Sequence, residues 1–207
     1  AVTHAAKLGA FLITPEDKLW PAGLNDLGMH APLVLWGRGK HSTLEHFQNS
    51  LSVVGARAST GYGEHVTMET VSAIAEAGVA IVSGAAYGID GMAHRSALAV
   101  GGTTMAFLAG GVDRFYPSGH DALLARIMES GLVLAEAPCG FAPTKWRFLL
   151  RNRLIAASSQ ATVVMEAGWR SGSLNTANHA ATLGRPLGVV PGPVTSASSA
   201  GCHRLLR

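Results

Sequence analysis

Short, uninterrupted apolar runs recur along the chain, each followed by a glycine-rich stretch and then by residues at helical spacing. Leu51-Ser52-Val53-Val54 opens the series, and Gly61 to Ala77 carries the first helical pattern, stopped at Gly78. Val79–Val82, Thr103–Leu108, Leu132–Ala135, Thr162–Met165 and Leu187–Val190 are the further predicted strands. Helical segments fall over Asp90–Val100, His120–Ser130, Arg151–Ala157 and Ser173–Leu183. Before residue 50 the pattern is weaker. There a lead-in segment, 1–49, holds one short apolar strand, Leu33–Trp36, closed by Gly37-Arg38-Gly39.

Strands that are apolar throughout, rather than at alternate positions, are covered on both faces, as in a parallel sheet. Strand and helix alternate with short connections, which predicts an α/β fold with a doubly wound, mostly parallel sheet. The expected organisation is one domain over 1–207, with its core at 50–207. In such a sheet the strand-to-helix loops all emerge at the carboxyl edge, where ligands bind. Those loops are 55–63, 83–90, 109–120, 136–152, 166–173 and the stretch from 191 onward. They carry Arg57, Lys145, Arg147, Arg151, Arg153 and Arg170 among many glycines. Glycine lets a ligand approach the backbone, and helix N-termini offer unpaired N–H groups to anions. A phosphate-binding edge is the expectation.

Composition narrows the class. Apolar residues make up 48% of the 207 positions and charged residues 14%, against about 25% charged in typical domains. Such a chain can bury a core and is not of the disordered type. No apolar run reaches the length of a membrane span, and the start lacks the segments of a signal peptide. Two cysteines, Cys139 and Cys202, make neither a disulfide framework nor a zinc site, so a reduced, cytoplasmic protein is expected.

Charge is unevenly distributed. Residues 1–138 hold eight basic and twelve acidic side chains, whereas 139–207 hold eight basic ones and the single acid Glu166. Four of the basic residues, Lys145, Arg147, Arg151 and Arg153, fall within nine positions, interleaved with Trp146 and Phe148. Basic groups neutralise phosphates, and aromatic or guanidinium planes stack on unpaired bases. Phe148 fits a core position better than a base-stacking one.

Familiar enzyme motifs fail on spacing. Gly61-Tyr62-Gly63 lacks the third glycine of a dinucleotide fingerprint, with Val66 in its place, and no acid closes the next strand. Gly39-Lys40-His41-Ser42 lacks the hydroxyl directly after lysine that a P-loop needs. His41 to His46 is one residue too long for an inverted zinc-protease motif, and neither Ser83 nor Ser171 lies in a nucleophile elbow. Asp90 follows two glycines and fits the cap of the next helix better than a catalytic base. No cofactor or metal is called for.

Taken in order, the motifs resemble those of the DprA/Smf family of DNA-processing proteins. Gly55-Ala56-Arg57 with Ser59, Tyr62 and Gly63 is similar to the first family motif, and Ser83-Gly84-Ala85-Ala86-Tyr87-Gly88-Ile89-Asp90 to the second. Tyr116-Pro117, Phe148, Arg151-Asn152-Arg153, Glu166-Ala167, Ser171-Gly172-Ser173, Thr176-Ala177 and Pro191-Gly192 match in place. The resemblance covers roughly 15–207 and leaves out the helical or winged-helix modules that flank this domain in many members. It implies an extended Rossmann-like domain that binds single-stranded DNA without chemistry, protects it, and loads the RecA recombinase as a homodimer. Arg57 is then the phosphate-binding arginine, with Arg151 and Arg153 lining the same pocket. Ser59, Ser83, Gly84, Tyr87, Gly88, Lys145, Arg147, Phe148, Asn152, Ser171 and Ser173 complete the expected DNA contacts. Departures from the family pattern are Ala56 for a serine, Tyr87 where some members carry lysine, and His120 for a usual asparagine.

Two other readings stand beside this one. A phosphoribohydrolase of a related Rossmann-like group needs a catalytic acid that Glu166 offers out of register. A plain protein-interaction platform requires the basic segment to be paired internally.

Overall fold

In the computed structural model, which describes residues 2–207, the apolar runs assemble into one eight-stranded sheet. The lead-in supplies β1 (Phe11–Ile13) and β2 (Leu35–Gly39). The remainder supplies β3 (Ser50–Gly55), β4 (Ala80–Ser83), β5 (Thr104–Leu108), β6 (Leu132–Ala135), β7 (Ala161–Glu166) and β8 (Leu187–Val189). Across the sheet the order is β1-β2-β6-β5-β4-β3-β7-β8. From β6 to β8 every pairing is parallel, while β1 and β2 join antiparallel beyond β6.

Helices α1 (Val2–Lys7), α2 (Gly61–Glu76), α3 (Ile89–Ala99), α4 (Asp121–Ser130), α5 (Lys145–Ser158), α6 (Ser173–Thr182) and α7 (Ala200–Leu205) accompany these strands, with 3-10 segments at Ala22–His30, His41–Asn49, Ser118–His120 and Ala197–Ser199. Successive side chains of a strand point to opposite faces, and the core divides accordingly. Val53 and Ile81 pack with Val71 of α2 and Ile89 of α3. Val54, Val82 and Phe107 pack with Leu154 of α5 and Leu174 of α6. Both faces are therefore buried, which is what the unbroken apolar runs require. Complete burial of a side chain such as Phe107 stabilises the fold by about 1.5–3 kcal/mol.

The chain steps from β3 through β4 and β5 to β6 in one direction. Helix α5 then returns it to β7, on the other side of β3. Loops leaving β3 and β7 consequently diverge, and the crevice between them is the switch point where doubly wound sheets bind ligands.

Three features depart from the sequence expectation. Strand β1 is not predicted, because three residues are too few to show a period. The lead-in strand lies at Leu35–Gly39 rather than Leu33–Trp36, and it runs antiparallel to β6. Helix α5 begins at Lys145, six residues before the predicted start. Thr144 caps it by accepting a hydrogen bond from the Arg147 N–H at 3.3 Å. Its first turn is basic and aromatic with no acidic residue, so the usual signal of a helix start is missing.

Candidate nucleic-acid interface

At the switch point lies an open cleft of about 840 Å³. Its walls are the loop after β3 (55–58), the segment that opens α5, and the loop between β7 and α6 (168–173). Of the expected contacts, Arg57, Lys145, Phe148, Arg151, Asn152, Ser171 and Ser173 line it together.

These residues have different surroundings. Arg57 is exposed on its loop, and its guanidinium lies 4.9 Å from the centre of the Phe148 ring. Tyr116 also meets that ring, at 5.5 Å between centroids. Phe148 thus serves as a platform that holds a surface cation at the cleft mouth. Lys145 is exposed on the first turn of α5, and Arg170 on the loop after β7. None of Arg57, Lys145 and Arg170 makes an ion pair with a carboxylate among the described residues.

Arg151 is the opposite case: only 5% exposed, it forms the floor. Its Nη1 donates at 2.7 Å to both Gly84 O and Phe107 O, so one guanidinium ties the carboxyl ends of β4 and β5 together. Burial lowers its pKa to about 10, with nearby Asp90 acting in the other direction, so it stays charged at neutral pH. Asp90 is itself buried. Desolvation raises its pKa, and Arg151 only partly offsets that. Its Oδ2 accepts weakly from the Ala86 N–H, at 3.4 Å, within the loop that starts α3. The sequence reading made Asp90 the cap of α3; instead Gly88 is the N-cap residue, with no side-chain cap hydrogen bond, and Asp90 stands inside the first turn with its carboxylate lining the cleft.

On the β7 side, the Ser171 and Ser173 hydroxyls bond to each other at 2.7 Å. Asn152 is buried and donates from Nδ2 to Asn175 Oδ1 at 3.2 Å, joining α5 to α6. Glu166 ends β7 and fixes the facing loop: its carboxylate accepts from the Thr60 N–H at 2.9 Å and from the Thr60 hydroxyl at 2.6 Å. Thr60 in turn caps α2 through the Gly63 N–H. Both carboxylate oxygens of the acid weighed for a hydrolase are thereby engaged in shaping the Arg57 loop.

Several expected contacts lie elsewhere. Ser83 is fully buried and donates to Val53 O at 2.6 Å, so its hydroxyl is spent inside the sheet. The Ser59 hydroxyl donates to Glu64 Oε1 at 2.7 Å. Gly84 and Gly88 permit close approach within the protein rather than to a ligand. A Cβ on Gly84 would collide with the Arg151 guanidinium, and one on Gly88 with the Ala56 carbonyl. Tyr87 is exposed but away from the cleft; its ring meets His120 edge-on at 4.9 Å, and its hydroxyl accepts from Gly119 N–H. Arg147 turns outward, donating to Ala142 O and covering the Phe141 ring at 4.8 Å.

Arg153 requires a correction. It does not share the pocket of Arg151, since the two side chains leave α5 in different directions. Arg153 pairs with Glu136 at 2.7 Å and donates to His30 O at 2.9 Å, which fastens the 3-10 segment of the lead-in to the core. Conversely, Thr144, Tyr116 and Thr176 line the cleft although none is among the expected DNA contacts, and so does Arg170, expected as part of the phosphate-binding edge. The position of β7 beside β3 was the missing signal. Once the switch point is placed there, the whole β7 loop becomes cleft wall.

No helix among the described residues is long and apolar enough to cross a membrane. The chain is thus of the doubly wound α/β class, in which ligands bind in the crevice at the switch point, and here basic residues line that crevice. A profile of the family described as DNA recombination-mediator protein A matches residues 11–207, and the chain belongs to that family, DprA/Smf. It is 52% identical over 209 residues to the DNA processing protein DprA of Mycobacterium tuberculosis, covering 96% of this chain and 54% of the relative. The chain thus spans about half the length of that curated relative. The structure of DprA from Streptococcus pneumoniae superposes with a TM-score of 0.89 at 34% identity, over 100% of this chain and 72% of the other. That of DNA processing protein A from Helicobacter pylori, described for its single-stranded DNA binding mode, gives 0.85 at 29% identity, over 95% and 86%.

Proposed function

We propose that the chain binds single-stranded DNA in the cleft between the β3 and β7 loops, shields the strand, and delivers it to the RecA recombinase. No bond of the strand is broken. The working unit is a cytoplasmic homodimer. The carrying observation is that Arg57, Lys145 and Arg170 face one cleft without carboxylate partners among the described residues. A phosphodiester backbone supplies the missing counter-charge, and the hydroxyls of Thr144 and Ser171 can add neutral contacts. The Helicobacter pylori relative, named for binding single-stranded DNA, has the same fold at 29% identity. The interaction-platform reading has less support, because Arg57, Lys145 and Arg170 make no ion pair among the described residues.

Anisotropy of a labelled single-stranded oligonucleotide over a range of salt tests this. Log K should fall by about 0.7 per neutralised phosphate for each log unit of salt. A matched duplex should compete poorly. Arg57→Ala is expected to weaken binding by roughly 1–3 kcal/mol, the range of a charge-assisted contact. Unchanged affinity in that variant removes Arg57 from the interface, and no binding by the parent protein at low salt rejects the proposal.

A further inference from the structure

Helix α5 presents two different faces. Lys145, Phe148, Asn152 and Ile155 look into the cleft. Trp146, Leu150 and Arg153, spaced at i, i+4 and i+7, share another face. Trp146 is 71% exposed and Leu150 50%. Leu150 and Arg153 line a second groove of about 610 Å³, walled also by Leu27, Met29, Leu149 and Leu183, and Trp146 stands one helical turn before Leu150. Met29 is 91% exposed on its rim. Leu149 lines both the cleft and this groove, so the two are neighbours across a single side chain.

We infer that this face is a base-stacking shelf for single-stranded nucleic acid leaving the cleft, with Trp146 as its main aromatic surface; this rests on the function proposed above. Three observations select that occupant. Lys145 lines the cleft and immediately precedes Trp146, so a phosphate held at Lys145 leads the strand onto the indole. The two carboxylates along the groove are already neutralised, Glu136 by Arg153 and Asp26 by Arg185 at 2.8 Å, and neither opposes a polyanion strongly. The shelf begins at the first turn of a 14-residue helix, where the unpaired N–H groups favour negative charge. Apolar surface beside the unpaired Lys145 suits bases and phosphates together. Stacking on an indole tolerates every base, so the shelf adds affinity and footprint without sequence preference.

The test uses labelled thymidylates of about four and about twelve nucleotides, lengths that bracket a short strand-binding site. Trp146→Ala should weaken the longer oligonucleotide by about tenfold, a typical loss for one stacked base, and leave the shorter one within about twofold. Trp146→Phe should restore most of the loss. Trp20 and Trp36 are buried, so in a Trp169→Phe background the longer oligonucleotide should quench fluorescence from Trp146. Arg57→Ala, in contrast, should weaken both lengths. If Trp146→Ala matches the parent at both lengths while Arg57→Ala does not, the shelf is wrong and the cleft reading survives. An equal loss at both lengths also overturns the shelf, since Trp146 would then act within the cleft. If the parent binds neither length, both readings fall.

Discussion

Replacing Arg151 with alanine is expected to lower the unfolding free energy by about 3–5 kcal/mol, the range for removing one partner from a buried charged network. For a chain of this size that corresponds to roughly 6–20 °C in melting temperature. The loss has two sources. The Gly84 and Phe107 carbonyls each lose a 2.7 Å donor in a dry interior. Asp90 loses the cation that partly offsets its burial, so its pKa rises further. The pH dependence follows from that second source. A carboxylate whose folded pKa lies above its unfolded value destabilises the fold while ionised, and the penalty disappears as pH falls through the folded pKa toward 3.8. The gap between parent and variant should therefore be wide at neutral pH and narrow in acid. Thermal unfolding at several pH values measures it; a gap independent of pH would show that Asp90 does not depend on Arg151.

Gly88→Ala should be nearly as damaging, for a different reason. Gly88 precedes α3 with φ of 73° and ψ of −129°, a conformation that costs a side-chain-bearing residue about 1–3 kcal/mol. The added Cβ also collides with the Ala56 carbonyl, a backbone atom that cannot rotate away. Together these amount to roughly 2–5 kcal/mol. The Ile89 N–H bonds to Ala56 O at 3.1 Å, so relief of the collision must push the Ala56–Arg57 turn out of place. Oligonucleotide affinity should thus fall together with the denaturant midpoint. A stable variant with normal affinity would mean that the loops after β3 and β4 move independently.

Most of the parallel core is legible in the sequence, because both-face burial demands unbroken apolar runs. Leu132–Ala135 coincides with β6, and the other core strands differ by a residue or two at their ends. The antiparallel lead-in is less legible, since β1 has only three residues and β2 ends in Gly37-Arg38-Gly39, a stretch that reads as a turn. At the cleft, sequence reasoning collects charged and small residues in the correct loops but cannot divide them by direction. Arg151 and Arg153 are two positions apart on one helix, hence on different faces. One becomes the floor and the other a tie to the lead-in. Ser83 and Ser59 have the chemistry of phosphate ligands, yet their hydroxyls serve Val53 O and Glu64. A hydroxyl's partner is fixed by tertiary geometry, and spacing alone does not contain it.

The outermost strands carry one more implication. The sheet is eight strands wide, but β1 at one margin and β8 at the other are each three residues long, and β8 has Gly188 at its centre. Short borders give an incoming β-strand few backbone groups to zip onto, which guards against fibril seeding. Concentrated solutions should accordingly resist amyloid-type growth, and any assembly between copies must be written in side chains rather than in shared β-structure.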